Sequence, residues 1–325
     1  MPIKVLVTST SFGKVVREPV ELLNNEGYEI IWNKLGRPLK EKEVIEKIKG
    51  VDGYIAGLDE ITAKAIEAAD KLRVISRYGA GVDNIDIEAA TKRKIVVTNT
   101  PGANTEAVAD LTFGLILAVA RNIPQADRST KRGEWRKFFG RAVNNKTLGI
   151  VGMGRIGKAV TRRAKGFGMR IVYWDCRREI NIEKEMQAEY VELKTLLKKS
   201  DFVSLHLTLT KETRGLIGKE ELKLMKPTAF LINTARGPIV DEDALYECLK
   251  DKVIAGAAVD VYSNQPPKDS PLLSLDNIIT TPHMGAYTYE SIMNMGMMSV
   301  RNVINVLNKT RPKYVVNPQV YEKLI

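Results

Sequence analysis

The sequence predicts an α/β protein built as two doubly wound parallel-sheet domains. Three observations carry this: short apolar runs alternate with amphipathic helical patterns throughout, a second set of six such runs opens at a glycine-rich turn deep in the chain, and one more helical pattern follows the last run. Short strands separated by helices imply parallel sheets covered on both faces. At 325 residues the chain is long enough for two domains of roughly 100 to 200 residues each.

The early runs are Ile3 to Ser9, Glu29 to Trp32, Gly53 to Gly57, Leu72 to Arg77 and Ile95 to Asn99. Pro101-Gly102 then punctuates the chain. Asn104 caps a long helix through Arg121, with Glu106 near its start and Arg121 at its end as the helix dipole prefers, and this helix reads as the inter-domain connector. The second set is Leu148 to Val151, Ile171 to Trp174, Phe202 to Leu207, Ala229 to Asn233, Ile254 to Val261 and Ile278 to Thr281. Six strands from the glycine turn match a complete doubly wound nucleotide domain. The last helical pattern, Tyr289 to Leu307, is free to return to the first domain and make it discontinuous. The expected domains are therefore 1–99 with 288–325, and 100–287.

Bulk properties exclude several classes. Two cysteines, Cys176 and Cys248, make no disulfide framework and point to a reducing cytoplasm. The N-terminus lacks a secretory pattern, and the longest largely apolar run, Leu111 to Ala120, is short of the roughly 18 residues of a membrane span. The net charge of +11 raises nucleic acid as a partner, because Lys131 to Arg141 interleaves basic residues with Trp135, Phe138 and Phe139. Lysines and arginines are nevertheless scattered over the whole chain, and a diffuse positive surface also steers small anions. We expect no nucleic acid and no membrane partner, and read that segment as the arm of a homodimer.

Gly152-Met153-Gly154-Arg155-Ile156-Gly157 directly follows the apolar stretch Thr147 to Val151, and Asp175 stands 18 residues beyond the last glycine at the end of the next run. Gly152 permits a tight strand-to-helix turn, Gly154 lets the backbone approach a pyrophosphate, and Gly157 allows close packing of helix on strand. Asp175 would accept hydrogen bonds from the adenosine ribose. Strand, glycines, helix and spaced acid together predict a dinucleotide site. The Asp175 carboxylate would repel a 2′-phosphate, so the expected cofactor is NAD, although Arg177 and Arg178 follow closely.

Only two histidines occur. His206 ends a strand pattern and reads as structural. His283 follows Thr281-Pro282 beyond the sixth run, at the carboxyl end of a strand where ligands of open α/β sheets bind. Arg236, in Asn233-Thr234-Ala235-Arg236-Gly237, is likewise just past a strand, and its planar fork suits a carboxylate. No set of metal ligands is expected.

At these residues the chain resembles the D-isomer-specific 2-hydroxyacid dehydrogenases, most closely the catalytic part of the 3-phosphoglycerate branch. The resemblance runs nearly end to end, through Arg77-Tyr78-Gly79-Ala80-Gly81-Val82-Asp83-Asn84, Asn99-Thr100-Pro101-Gly102-Ala103-Asn104, the glycine fingerprint, Asn233 to Gly237, Gly256 to Val261 and Thr281-Pro282-His283. It implies a Rossmann domain inserted into a discontinuous flavodoxin-like substrate domain. It also implies that His283 exchanges the hydroxyl proton and that Arg236 binds the substrate carboxylate and polarises the 2-oxo group. Gly79, Ala80 and Gly81 would hold the carboxylate through N–H groups, with Arg77 and Asn104 nearby. Thr208, Thr234, Ala235, Asp260 and Gly285 would line the cofactor.

The chain departs from the family pattern in three places. Gln265 stands where the family has a glutamate paired with the histidine; a neutral amide orients an imidazole without stabilising its cation. Ala56-Gly57 replaces an arginine that the serine-pathway enzymes use for a substrate phosphate, which leaves Arg77 as the remaining match. The chain also stops at Ile325, so feedback through a C-terminal regulatory domain is not expected. The leading expectation is an NAD-dependent interconversion of a small D-2-hydroxy acid and its 2-oxo acid. Formate dehydrogenase-like chemistry, which also pairs glutamine with histidine and needs no proton transfer, is the alternative, followed by a nucleotide-sensing binding protein of the same fold.

Overall fold

A computed structural model describes residues 2–322. The chain forms two compact units: one runs up to Asn104 and resumes at Ala286, and the other spans Thr105–Gly285. Met1 and residues 323–325, the extremities of the first domain expected from sequence, lie outside the described residues.

The first unit opens with β1 (Lys4–Val7), α1 (Glu18–Asn25), β2 (Glu29–Trp32), α2 (Glu41–Lys47), β3 (Gly53–Ala56), α3 (Ala63–Glu67), β4 (Val74–Arg77), α4 (Ile87–Lys92) and β5 (Val96–Thr98). The second contains α5 (Thr105–Arg121), α6 (Ile123–Lys131), β6 (Thr147–Val151), α7 (Arg155–Gly166), β7 (Arg170–Trp174), α8 (Ile180–Met186), β8 (Glu189–Tyr190), α9 (Leu193–Lys199), β9 (Phe202–Leu205), α10 (Lys219–Leu224), β10 (Phe230–Asn233), α11 (Glu242–Lys250), β11 (Gly256–Val259) and β12 (Ile278–Thr280). Beyond it, α12 (Tyr289–Leu307) belongs to the first unit.

Both sheets are wholly parallel, with strand orders β2-β1-β3-β4-β5 and β12-β11-β10-β9-β6-β7-β8. Central strands such as β3, β6, β9 and β10 are buried at every residue, which is why they read as continuous apolar runs rather than alternating ones. The second sheet has seven strands where the sequence indicated six. The additional strand, β8, is two residues long, sits at the edge against β7 and is not fully buried, so no apolar run announces it. Its Tyr190 ring meets Tyr173 edge-on at 5.4 Å.

The long apolar run of α5 is explained by burial. Ala109, Phe113, Ile116 and Ala120 pack with Ile150, Met153 and Val160 in one core of the second unit. Among the described residues no single helix is long and apolar enough to cross a membrane. In the first unit, α12 is capped by Thr288, which accepts from the Ser291 N–H at 3.1 Å, and it lays Met295, Val300 and Val303 against Val5, Val7 and Val74. Gly53 makes room for this: a Cβ there would lie 3.0 Å from Val303.

The segment after α12 closes the β5 edge. Val316 donates to the Val97 carbonyl, and buried Asn317 accepts from the Val97 N–H at 2.8 Å while donating to the Ile95 carbonyl at 2.9 Å and to Thr91 Oγ1 at 3.0 Å. One side chain thus satisfies three groups of a buried edge. Asn317→Ala should lower stability by about 2–4 kcal/mol, since the Val97 N–H is left buried and unmatched. Urea unfolding followed by Trp32 emission checks this; a loss below about 0.5 kcal/mol, the level of an ordinary surface change, would contradict it.

Candidate active site

The carboxyl ends of the second sheet gather most of the residues singled out above. After β6 the backbone turns at Gly152, whose φ of +98° favours glycine; a Cβ there would lie 2.8 Å from the His206 carbonyl carbon. Gly154 faces open space, and a Cβ on Gly157 would sit 2.2 Å from the Gly152 carbonyl oxygen. Arg155 and Ile156 form the first turn of α7. The three glycines therefore do three different things: one turns, one leaves an approach open, and one brings the helix onto the loop. Asp175, just past β7, accepts from the Met153 N–H at 2.6 Å, tying the acid to the glycine loop. A helix N-terminus, an open glycine and an acid at this spacing fit a dinucleotide with its pyrophosphate on the α7 amides and its ribose at Asp175.

Asn233, at the end of β10, builds the next turn. Its side chain accepts from the Ala235 N–H at 3.0 Å and donates to the Arg236 carbonyl at 2.9 Å, and Arg236 Nη1 donates to the Ala235 carbonyl at 2.8 Å. Gly237 then runs against the chain beyond β11, where a Cβ would lie 2.0 Å from the Tyr262 carbonyl carbon. Arg236 and the Tyr262 to Gln265 turn are held together by this approach. The buried Thr234 hydroxyl meets Thr112 Oγ1 of α5 at 2.8 Å, a packing contact that the sequence reading missed. Thr208 lies in an exposed turn, its carbonyl receiving Thr213 Oγ1 at 2.7 Å.

Asp260 is 1% exposed and turns toward the segment beyond β12. Its Oδ1 accepts from Thr281 Oγ1 at 2.6 Å and the Met284 N–H at 2.9 Å, and its Oδ2 accepts from the Gly285 N–H at 2.9 Å. These bonds bracket His283, whose φ of +54° is uncommon for a residue with a side chain. The imidazole Nδ1 lies 2.8 Å from Gln265 Oε1, and Gln265 Nε2 donates to the Tyr262 carbonyl at 3.3 Å. With the amide nitrogen committed to a carbonyl, its oxygen faces His283, and the neutral ring carries its proton on Nδ1.

The other histidine, His206, is held neutral near neutral pH. Burial holds His206 down at about 3, and its Nε2 lies 2.9 Å from Ser204 Oγ. Cys176 is a poor nucleophile, because the neighbouring Asp175 carboxylate pushes its thiol up. Among the described residues no group of histidine, cysteine and acidic side chains could hold a metal ion.

In the first unit, Arg77 ends β4 and is buried, with Nη1 donating to the Tyr78 carbonyl; a Cβ on Gly79 would lie 2.5 Å from that guanidinium. The Gly79 carbonyl receives the Thr100 N–H at 3.0 Å and the Ala80 carbonyl receives Asn99 Nδ2 at 2.7 Å. The Gly79 N–H bonds the Arg77 carbonyl, whereas the Ala80 and Gly81 N–H groups make no backbone hydrogen bond among the described residues. Asn104 is the last residue before the second unit. Where a phosphate-binding arginine was missing from the sequence, a buried carboxylate stands close by: Asp59 accepts from the Gly57 N–H at 2.9 Å, the Leu39 N–H at 2.7 Å and Thr8 Oγ1.

Residues 113–285 match the model of the D-isomer specific 2-hydroxyacid dehydrogenase, NAD binding domain. The chain is 48% identical to a glyoxylate reductase of Korarchaeum cryptofilum over 87% of its own length and 88% of that protein. It is 47% identical to a D-3-phosphoglycerate dehydrogenase of Methanocaldococcus jannaschii over 86% of its length but only 54% of that protein. The fold superposes on D-lactate dehydrogenase from Aquifex aeolicus, crystallised with NAD and lactic acid, with a TM-score of 0.86 at 29% identity over 96% of this chain and 99% of that one. With NAD as its cofactor, this chain belongs to the D-isomer-specific 2-hydroxyacid dehydrogenases, oxidoreductases acting on the CH–OH group.

Proposed function

We propose that this enzyme reduces a small, unphosphorylated 2-oxo acid of the glyoxylate class to the D-2-hydroxy acid, with His283 as proton carrier and Arg236 as carboxylate and carbonyl clamp. The observation that carries the reading is the Asp260 bracket around His283, which aims one imidazole by way of three hydrogen bonds and a glutamine. A nicotinamide dinucleotide held on the α7 amides and Asp175 would supply a hydride for substrate C2. As the C2–O double bond becomes single, His283 Nε2 gives its proton to that oxygen and recovers one from water, and the reverse holds for oxidation. Arg236 offers positive charge where the oxygen becomes negative. In the first unit, the N–H groups of Ala80 and Gly81 act as donors to a carboxylate.

Buried Asp59 beside Gly57 supports the unphosphorylated substrate, because its negative charge disfavours a phosphate dianion there. Asp175 supports a preference for NAD over NADP; of the two arginines that follow, Arg178 is already paired with Glu183 at 2.7 Å. Glyoxylate, hydroxypyruvate, 3-phosphohydroxypyruvate and formate, each offered with both nucleotides, test the assignment. Glyoxylate or hydroxypyruvate with NADH should turn over fastest, and His283→Ala should lose at least about a hundredfold in kcat. Turnover of formate alone, or of none of the four, would overturn the reading.

Gln265 sets a distinctive pH dependence. A carboxylate in its place would favour the imidazolium, so Gln265→Glu should move the alkaline limb of reduction and the acid limb of oxidation upward together, by roughly one pH unit. The sign follows because reduction needs His283 protonated and oxidation needs it neutral. Unmoved limbs in kcat/KM profiles would show that Gln265 does not govern the histidine.

We also propose a homodimer built with the arm that follows α6. Trp135 and Phe139 are 89% and 101% exposed there, an apolar surface that association would cover. Sedimentation should give about twice 36.3 kDa, and the Trp135→Ser/Phe139→Ser variant should sediment closer to the monomer. A wild-type monomer at micromolar concentration would contradict this.

A further inference from the structure

The first unit contains a cavity of about 410 Å³ that none of the chemistry above uses. It lies at the carboxyl ends of β1 and β2, lined by Ser9, Thr10, Phe12, Lys14, Arg17 and Trp32 among others, with no acidic residue in its wall. Its volume is that of a small-molecule site.

The lining divides by chemistry. Trp32 and Phe12 form an apolar wall, their rings 6.2 Å apart and inclined at 46°. Gly13 lets this wall close, since its φ is +70° and a Cβ there would lie 2.6 Å from Val20 and 3.2 Å from the Trp32 ring. Lys14 and Arg17 are exposed at the rim, and among the described residues neither side chain forms an ion pair. Two cations in no ion pair among the described residues, beside a half-exposed indole and the Ser9 and Thr10 hydroxyls, recognise a molecule with a negative end and a flat apolar body.

We propose that this cavity binds a small organic anion with a flat apolar body, its charge on Lys14 and Arg17 and its body along Trp32 and Phe12. The site is wired to the rest of its unit. Phe12 meets Tyr78 edge-on at 5.9 Å, and Tyr78 immediately precedes Gly79 of the anion-binding loop. Thr10 Oγ1 lies 3.0 Å from the hydroxyl of Tyr287, four residues after His283 in the sequence. β1 is two strand positions from β4, about 10 Å at ordinary strand spacing, so a two-carbon acid held after β4 does not fill the cavity. The ligand is then either the far end of a larger substrate or a separate effector, and the chemistry of recognition is the same for both.

Calorimetry on the full chain tests the proposal without any turnover, so its outcome is independent of the proposed reaction. Phenylacetate should bind, with affinity that falls as salt is added. Phenylacetamide, the neutral isostere, should bind at least about tenfold more weakly, and so should phenylacetate to the Lys14→Gln/Arg17→Gln variant. Inorganic phosphate, which has charge but no apolar body, should bind more weakly than phenylacetate. Indole quenching by phenylacetate should disappear in Trp32→Phe. NADH binding, retained in the charge variant, certifies its fold. Inhibition kinetics then separate the two sources: competition with glyoxylate identifies an extension of the substrate site, and noncompetitive inhibition identifies an effector site. No heat with phenylacetate, or equal affinity for the amide and for the charge variant, would overturn the proposal.

Discussion

A carboxylate buried to 1% exposure must find donors or cost several kcal/mol, and Asp260 finds all three of its observed donors on the one turn that follows β12. The constraint runs outward from there. The turn takes a path that delivers the Thr281 hydroxyl and the Met284 and Gly285 N–H groups to the two oxygens, and on that path His283 takes a left-handed backbone conformation. Tyr262, two residues beyond Asp260, adds its hydroxyl to the Thr281 carbonyl at 3.0 Å, and its own carbonyl orients the amide of Gln265. Placement, ring orientation and tautomer of one imidazole thus trace to the chain that leaves β11.

Close backbone approaches hold the other walls of the site. Gly237 lies against Tyr262 and Gly157 against Gly152, at distances where no side chain fits. Such contacts transmit position without flexible intermediates. They explain why Arg236 and Gln265, carried by the ends of different strands, keep a fixed mutual register within the second unit, and why the glycine loop and α7 form one surface.

Much of this was legible in the sequence because the signals were local. Continuous apolar runs marked the buried parallel strands, the glycine spacing marked the turn before α7, and Tyr289 to Leu307 was read as a helix with the bounds it has. Elements whose stability comes from distant partners were not legible. β8 is two residues held by an edge and a ring contact. Asp260 reads as an acid after a strand, and nothing nearby in sequence reveals that its donors lie more than 20 residues away. Thr234, expected to line the cofactor, has its hydroxyl engaged by Thr112 from a helix 122 residues upstream, a partner no local signal announces. Asn233 carried a signal that could have been used: asparagine at the end of a strand, before a tight turn, commonly bonds the backbone two residues on.

The central claim is that Asp260 fixes His283, the proposed proton carrier, and imidazole 15N NMR tests it most directly. His206→Gln removes the second histidine from the spectrum. In that background the account predicts a single Nδ1-protonated tautomer for neutral His283, and in the added Asp260→Asn variant an average over both tautomers with a loss of about a hundredfold in kcat, the scale of a misplacement of about 1 Å. An unchanged His283 spectrum in Asp260→Asn, with kcat within about threefold of the parent, would contradict it.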